Sequence, residues 1–185
     1  SFRTGYSGAQ GLAQIEPDIT YFGKAFGGGF PVGAIGGKKE FMQVIDNSGD
    51  STGLNQSGTF SGNNFTLAAG LANLKTLTPL AYKHLNNLGL KLSKGLSDEF
   101  NKADIPVQVL HEGSAVAMYI TDKKIQDYRS SVIYPDHDLT NRIILGLYLK
   151  GYSLRGGIQF TVSMPMDESH IEGFLKALSE VLKES

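Results

Sequence analysis

The spacing of apolar residues changes near residue 78, and the part of the chain after it has the more regular pattern. Beyond Pro79, apolar residues recur at steps of three and four, which is typical of a helix with one buried face. The predicted buried faces are Leu85, Leu88, Leu92, Leu96 and Phe100 in the first helix, and Ile171, Phe174, Leu175, Leu178 and Leu182 in a helix that starts near Glu168. A further helix is predicted over residues 139–150, and short strands over 106–110, 115–121, 152–154 and 159–163. Residues 79–185 therefore predict a small C-terminal α+β domain, with helices on one face of a small sheet.

The first 78 residues contain short apolar runs between loops rich in Gly, Ser and Asn. The predicted elements are short strands over residues 19–22 and 32–35, a short helix over 39–45 and a longer helix over 64–77, with irregular chain over 1–18 and 46–62. Asn63 or Asn64 is the expected N-cap of the longer helix, in which Leu67, Leu71 and Leu74 have helical spacing. Two short strands cannot make a closed sheet. Residues 1–78 therefore predict an incomplete part of a larger α/β domain that ends in a connecting helix.

Composition excludes several classes of protein but does not identify this one. Glycine accounts for 23 of 185 residues, about 12% against an average of about 7%, and most glycines precede residue 63. The 17 basic and 18 acidic side chains leave a net charge of −1, which argues against nucleic acid or an anionic membrane as a partner. No apolar run of about 18 residues predicts a membrane span. The absence of cysteine excludes disulfides and thiolate chemistry, and we expect a cytoplasmic protein.

Lys24 has the most informative sequence context of any ionisable residue in the chain. It follows a predicted strand and precedes Gly27-Gly28-Gly29 in the segment PDITYFGKAFGGGFPVGAIGG, residues 17–37. A lysine at the end of an apolar strand can be shielded from water, which favours the neutral amine that attacks an aldehyde to form a Schiff base. The glycines would let a flat ring approach the backbone. An ordinary solvated lysine is the other interpretation, and position alone favours it.

A second candidate segment, QSGTFSGN, occupies residues 56–63 directly before the predicted helix. Small hydroxyl residues and glycines before a helix N-terminus can bind an anion, because backbone N–H groups point outward there. A simple capped loop is the alternative interpretation, and the segment alone favours it.

Other catalytic and metal-binding motifs are absent from the sequence. Gly23-Lys24 is followed by Ala25, which does not match a Walker A motif, and in Gly58-Thr59-Phe60-Ser61-Gly62 the serine stands one place too late for a nucleophile elbow. The four histidines, His84, His111, His137 and His170, have no metal-ligand spacing. We therefore predict no metal site.

Taken together, the two candidate segments resemble the class III aminotransferases, which depend on pyridoxal 5'-phosphate (PLP), and in particular the glutamate-1-semialdehyde 2,1-aminomutase branch. The resemblance rests on Pro17-Asp18-Ile19, Gly23-Lys24 and Gly27-Gly28-Gly29-Phe30-Pro31-Val32-Gly33-Ala34, followed by Gly58-Thr59-Phe60-Ser61-Gly62-Asn63 before a long helix. It extends over essentially the whole chain. It implies the α/β fold of PLP-dependent transferases, fold type I, with residues 1–78 as the end of the large PLP-binding domain and residues 79–185 as the small C-terminal domain.

The resemblance also implies roles for individual residues. Lys24 matches the lysine that holds PLP as a Schiff base and then moves a proton on the substrate. Thr59 matches the threonine that hydrogen-bonds the cofactor phosphate from the opposite subunit of a homodimer, with Gly58 beside it. Arg3 belongs to the stretch that follows the family's Asp-Glu-Val-type motif. The aspartate of that motif would precede Ser1, so we expect the chain to hold a C-terminal half and only part of the active site.

The implied activity is transfer of an amino group between a small amino donor and a carbonyl acceptor. An aminomutase, which performs both steps on one substrate, is an open alternative. So are an inactive dimerisation or interaction module and a phosphate-binding protein that does not use PLP. Arg155 is a candidate partner for a substrate carboxylate, although a structural ion pair explains it equally well. The sequence does not identify the substrates.

Overall fold

The structure is a computed structural model that describes residues 2–46, 53–154 and 159–184. The chain divides into two compact units, Ser1–Ala81 and Tyr82–Ser185. The assignment of residues 1–78 to a larger PLP-binding domain and of 79–185 to its small domain stays a prediction. Arg155 and part of the predicted loop over 46–62 lie outside the described residues.

The first unit is built on an antiparallel pair of short strands. Its elements are α1 (Gly8–Leu12), β1 (Ile19–Gly23), a 3-10 turn (Lys24–Gly27), β2 (Gly33–Gly37), α2 (Lys39–Met42), a 3-10 turn (Gln43–Ile45) and α3 (Asn64–Thr76). In the strand pair, Ile19 lies opposite Gly37 and Gly23 opposite Gly33. Both predicted strands and the predicted helices are confirmed. The prediction of irregular chain over residues 1–18 is wrong at α1, a single helical turn without an apolar stripe.

Helix α3 begins where the sequence predicts but packs on a different face. Asn63 is its N-cap, and its side-chain oxygen accepts hydrogen bonds from the backbone N–H groups of Phe65 and Thr66. Leu67 and Leu71 are exposed and Leu74 is half-buried, although their spacing suggested a packed face. The packed face includes the small residues Ala69 and Gly70, which let the helix approach another backbone closely.

The second unit contains a three-stranded antiparallel sheet and the longer helices. Its elements are α4 (Pro79–Lys102), β3 (Val107–Glu112), β4 (Ala115–Ile120), α5 (Tyr128–Ile133), α6 (His137–Leu149), β5 (Gln159–Thr161) and α7 (Glu168–Glu184). The strand order is β3-β4-β5, with Val107 opposite Ile120 and Val116 opposite Phe160. Helix α5 was not predicted; a capping box formed by Asp127 and Ser130 begins it.

The predicted strand over residues 152–154 is wrong. Tyr152 donates its backbone N–H to the carbonyl of Leu147 at 2.9 Å, which closes the C-terminus of α6. Its ring contacts Phe174 edge to face, with centroids 5.4 Å apart. Tyr152 therefore closes the end of a helix and is not part of a strand.

The predicted apolar faces of α4 and α7 form the core of the second unit. Each member of the α4 set is at most 5% exposed, as are Ile171 and Leu178 of α7. Leu175 is half-buried and packs over Gly95, where a Cβ atom would lie 2.2 Å from its Cδ1. The most deeply buried large side chains come from α4, β4, α6 and α7: Leu96, Phe100, Met118, Ile143, Leu147 and Leu178. Across the described ranges, no helix combines the length and apolar character needed to cross a membrane.

Candidate functional site

Lys24 occupies a strained backbone position at the end of β1. The strand reaches Gly23 in an extended conformation, and Lys24 then opens the 3-10 turn with a φ of +53°. The left-handed region is uncommon for a residue with a side chain, and such residues concentrate at functional sites. Gln14 and Asp104 also have a positive φ among the described residues, and of these three only Lys24 lies in the sequence motif.

Helix α3 holds the turn that begins at Lys24. The side-chain N–H of Asn73 donates a hydrogen bond to the carbonyl oxygen of Ala25 at 2.6 Å. Gly28 has a φ of +60°, and a Cβ atom there would lie 2.3 Å from the carbonyl oxygen of Ala69. Since that oxygen belongs to the α3 backbone, only glycine permits this approach.

A cavity of about 440 Å³ lies beside the turn, and Lys24 lines it. The described residues around it are Phe2, Arg3, Tyr6, Ser7, Gly8, Gln10, Thr20, Tyr21, Phe22, Gly23, Lys24 and Ala25. The formally charged members of this set, Arg3 and Lys24, are both cationic. The Thr20 hydroxyl donates to the Gln10 amide oxygen at 3.1 Å. A cationic cavity with aromatic walls suits a flat, anionic ligand.

An aromatic cluster packs against the wall of this cavity. The Phe26 ring lies 5.3 Å from that of Phe22 and 6.3 Å from that of Phe2, centroid to centroid. Such contacts restrain the rings of Phe2 and Phe22, which line the cavity. Lys24 itself is exposed, so the described residues do not supply the shielding from water that the sequence led us to expect.

Gly58 and Thr59 do not line the cavity among the described residues. They lie in two successive turns, in which Ser61 N–H donates to the Gly58 carbonyl at 2.9 Å and Asn63 N–H to the Phe60 carbonyl at 3.2 Å. Thr59 is exposed. The Asn63 cap already occupies two N–H groups at the start of α3, which leaves fewer of them for an anion.

The histidines have local structural roles in the second unit. The ring N–H groups of His84, His111 and His137 donate to backbone carbonyls at 3.0, 2.8 and 2.7 Å, and His170 pairs with Asp167 at 2.8 Å. Within the described ranges, no group of three or more His, Asp or Glu side chains is arranged to hold a metal ion.

The fold is that of the PLP-dependent transaminases. An omega-transaminase from Sphaerobacter thermophilus superposes on 99% of this chain, with a TM-score of 0.93 and 33% identity, and a transaminase solved with PLP bound superposes on 100% of it, with a TM-score of 0.85 and 28% identity. This chain covers 42% of each of those proteins.

The sequence comparisons lead to the family. The class III aminotransferase family matches residues 2–182, and a glutamate-1-semialdehyde 2,1-aminomutase from Clostridium beijerinckii is 36% identical over 185 residues, 97% of this chain and 42% of that protein. The chain belongs to the class III aminotransferase family. It spans less than half the length of the relatives it matches.

The sequence motif contains Lys24 and its neighbours from Thr20 to Ala25, but it assigns no role to the more distant residues. Gln10 and Asn73 carry no motif, and the tertiary fold alone brings them beside the Lys24 turn. The one available signal was the pair Phe22 and Phe26, which flank Lys24 at two residues on either side.

Proposed function

We propose that the protein to which this chain belongs is a PLP-dependent enzyme that transfers an amino group between a small amino compound and a carbonyl compound. The observation that carries the proposal is the left-handed backbone of Lys24 at the edge of a cationic, aromatic-walled cavity. Membership of the class III aminotransferase family supports it. The transaminase solved with PLP bound supports the choice of cofactor.

The residues of the cavity fit such a cofactor. When bound, PLP supplies the electron sink that stabilises negative charge at the carbon of the amino substrate. Lys24 would hold this cofactor through its side-chain amine. Its Nζ would also serve as the base that accepts a proton from the substrate α-carbon and as the acid that donates it again. Phe2 and Phe22 provide apolar walls for a flat ring, and Arg3 adds positive charge.

An aminomutase is a second candidate for the same chemistry. The 36% identical relative from Clostridium beijerinckii, which carries that activity in its name, aligns with nearly all of this chain. In an aminomutase, donor and acceptor carbons belong to one molecule, so Lys24 would serve both half-reactions on a single bound substrate.

We also propose that the protein acts as a homodimer in which Gly58 and Thr59 contact the cofactor phosphate bound by the partner subunit. Thr59 is exposed and does not line the cavity beside Lys24, which is consistent with a contact to the cofactor of another subunit. The first unit also exposes large apolar side chains, among them Tyr21, Phe60 and Phe65, and surfaces of this kind occur at interfaces. A monomer in analytical ultracentrifugation at full PLP occupancy would contradict this proposal. The cytoplasmic location stays a prediction.

The central test is covalent capture of PLP by Lys24. The purified protein is mixed with PLP, reduced with borohydride and digested, and the modified lysine is located by mass spectrometry. We expect modification at Lys24, loss of that modification and of nearly all turnover in Lys24→Ala, and retention of both in Lys39→Ala, which removes an exposed lysine from the same unit.

Each other outcome selects a different function. Capture that persists in Lys24→Ala would show that another residue holds the cofactor. A folded protein that captures no PLP would favour the inactive interaction module. Phosphate binding that survives loss of Lys24, without PLP capture, would favour a phosphate-binding protein.

A further inference from the structure

We propose that Asn73 is a positioning residue that holds the Lys24 turn in its reactive conformation. This inference rests on the proposed function, since it assigns Asn73 a role towards the cofactor-binding lysine. It concerns a residue 49 positions further along the chain, for which neither the motif nor the comparisons suggest a role.

The contact between Asn73 and the turn is short and specific. Asn73 Nδ2 lies 2.6 Å from the carbonyl oxygen of Ala25, the residue that follows Lys24. The same oxygen accepts the backbone N–H of Gly28 at 3.2 Å, which closes the 3-10 turn. A carbonyl oxygen has two lone pairs and can accept two hydrogen bonds. Here one bond comes from Gly28 within the turn, and the other comes from Asn73 of α3.

The turn needs an outside restraint because its first residue is strained. Lys24 has a φ of +53°, and a residue with a side chain is less stable there than in the extended or right-handed helical region. Without the restraint, the peptide that follows Lys24 can rotate towards a more stable conformation. Such a rotation would carry the Lys24 side chain away from its place along the cavity.

Backbone packing alone does not supply this restraint. Gly70 lets α3 approach the turn, since a Cβ atom there would lie 2.9 Å from the carbonyl oxygen of Phe26. Gly28 permits the matching approach from the turn to Ala69. These contacts limit how close the two segments can come, but they are not directional. The Asn73 hydrogen bond is directional and therefore fixes the orientation of the Ala25 carbonyl.

The decisive variant is Asn73→Asp, which keeps the shape of the side chain but replaces its N–H donor with an acceptor. Asn73→Ala removes the donor without adding a charge, and it serves as the second variant if Asn73→Asp does not fold. The matched control is Thr76→Val. It removes the hydrogen bond that the Thr76 hydroxyl donates to the Asn73 carbonyl at 2.7 Å, in the last turn of the same helix, and leaves Ala25 untouched.

Two measurements are made on each purified variant. The first is amide hydrogen exchange of the peptide covering residues 24–29 without cofactor. The second is the rate of covalent PLP capture at Lys24. We expect both Asn73 variants to exchange about tenfold faster and to capture PLP about tenfold more slowly, as the loss of one partly buried hydrogen bond implies. Thr76→Val should stay within about twofold of the unmodified protein in both measurements.

The outcomes separate this inference from the proposed function. Unchanged exchange in both Asn73 variants overturns the inference, and so does an equal effect in Thr76→Val, which would mean that Asn73 only stabilises α3. Faster exchange with an unchanged capture rate also overturns it. If the unmodified protein captures no PLP at Lys24, the proposed function fails, while the exchange measurement still shows whether Asn73 holds the turn.

Discussion

The two units bury apolar side chains to very different extents. In the second unit, Leu96, Phe100 and Leu178 are 0% exposed. In the first, the buried residues among those described are Gly8, Gly27, Gly70 and Ala81, and its large apolar side chains are at least partly exposed. The second unit therefore has its own hydrophobic core. The first is organised by hydrogen bonds and close backbone contacts around Lys24, and many of its apolar side chains are exposed.

The largest effect should come from truncating a buried leucine of the second unit, compared with truncating an exposed leucine of the first. Leu178→Ala removes a fully buried side chain from α7, whereas Leu71 of α3 is 55% exposed. We expect Leu178→Ala to lower the free energy of unfolding by about 3–4 kcal/mol and Leu71→Ala by less than about 1 kcal/mol, because only the first leaves a cavity. Urea denaturation followed by circular dichroism measures both. Equal losses would show that α3 also packs into a core.

A smaller effect should separate two glycines of the first unit. Gly28 and Gly62 both have positive φ, +60° and +67°, but only Gly28 lies against the α3 backbone. We expect Gly62→Ala to lower the free energy of unfolding by about 1 kcal/mol, from backbone strain alone, and Gly28→Ala by about 2–3 kcal/mol, because the helix must also move. The same denaturation experiment applies. A loss for Gly62→Ala as large as that for Gly28→Ala would remove the argument that close packing holds the Lys24 turn.

The smallest effect concerns acid stability in the second unit. Asp167 precedes α7 and accepts hydrogen bonds from the Ser169 hydroxyl and the His170 ring, which hold the pKa of its carboxyl well below the usual range. A folded-state pKa that is lowered gives stability that is present above the unfolded pKa of about 3.9 and is lost as pH falls towards the folded value. As the pH is lowered below about 4, the urea midpoint of Asp167→Asn should therefore decrease less than that of the unmodified protein. Parallel curves for the two proteins would exclude this contribution.

Local patterns in the sequence account for the features that depend on neighbours along the chain. Apolar residues at helical spacing predicted the buried faces of α4 and α7, because an amphipathic helix of a small domain has only one face to bury. Asn63 was one of two predicted caps, since capping joins a side chain to N–H groups two or three residues away. The motif around Lys24 singled out the lysine for the same reason: its strand, its turn and its glycines are contiguous.

Tertiary structure alone decided the rest. Spacing showed that Leu67 and Leu71 share a face of α3, but not that Ala69 and Gly70 would be the packed side, since this depends on how closely another backbone approaches. The pairing of Asn73 with Ala25 joins residues 48 positions apart, and no local pattern encodes such a contact. The sequence by itself determined which lysine is the candidate for covalent chemistry. The fold decided what holds that lysine in place, because a strained backbone persists only where distant residues restrain it.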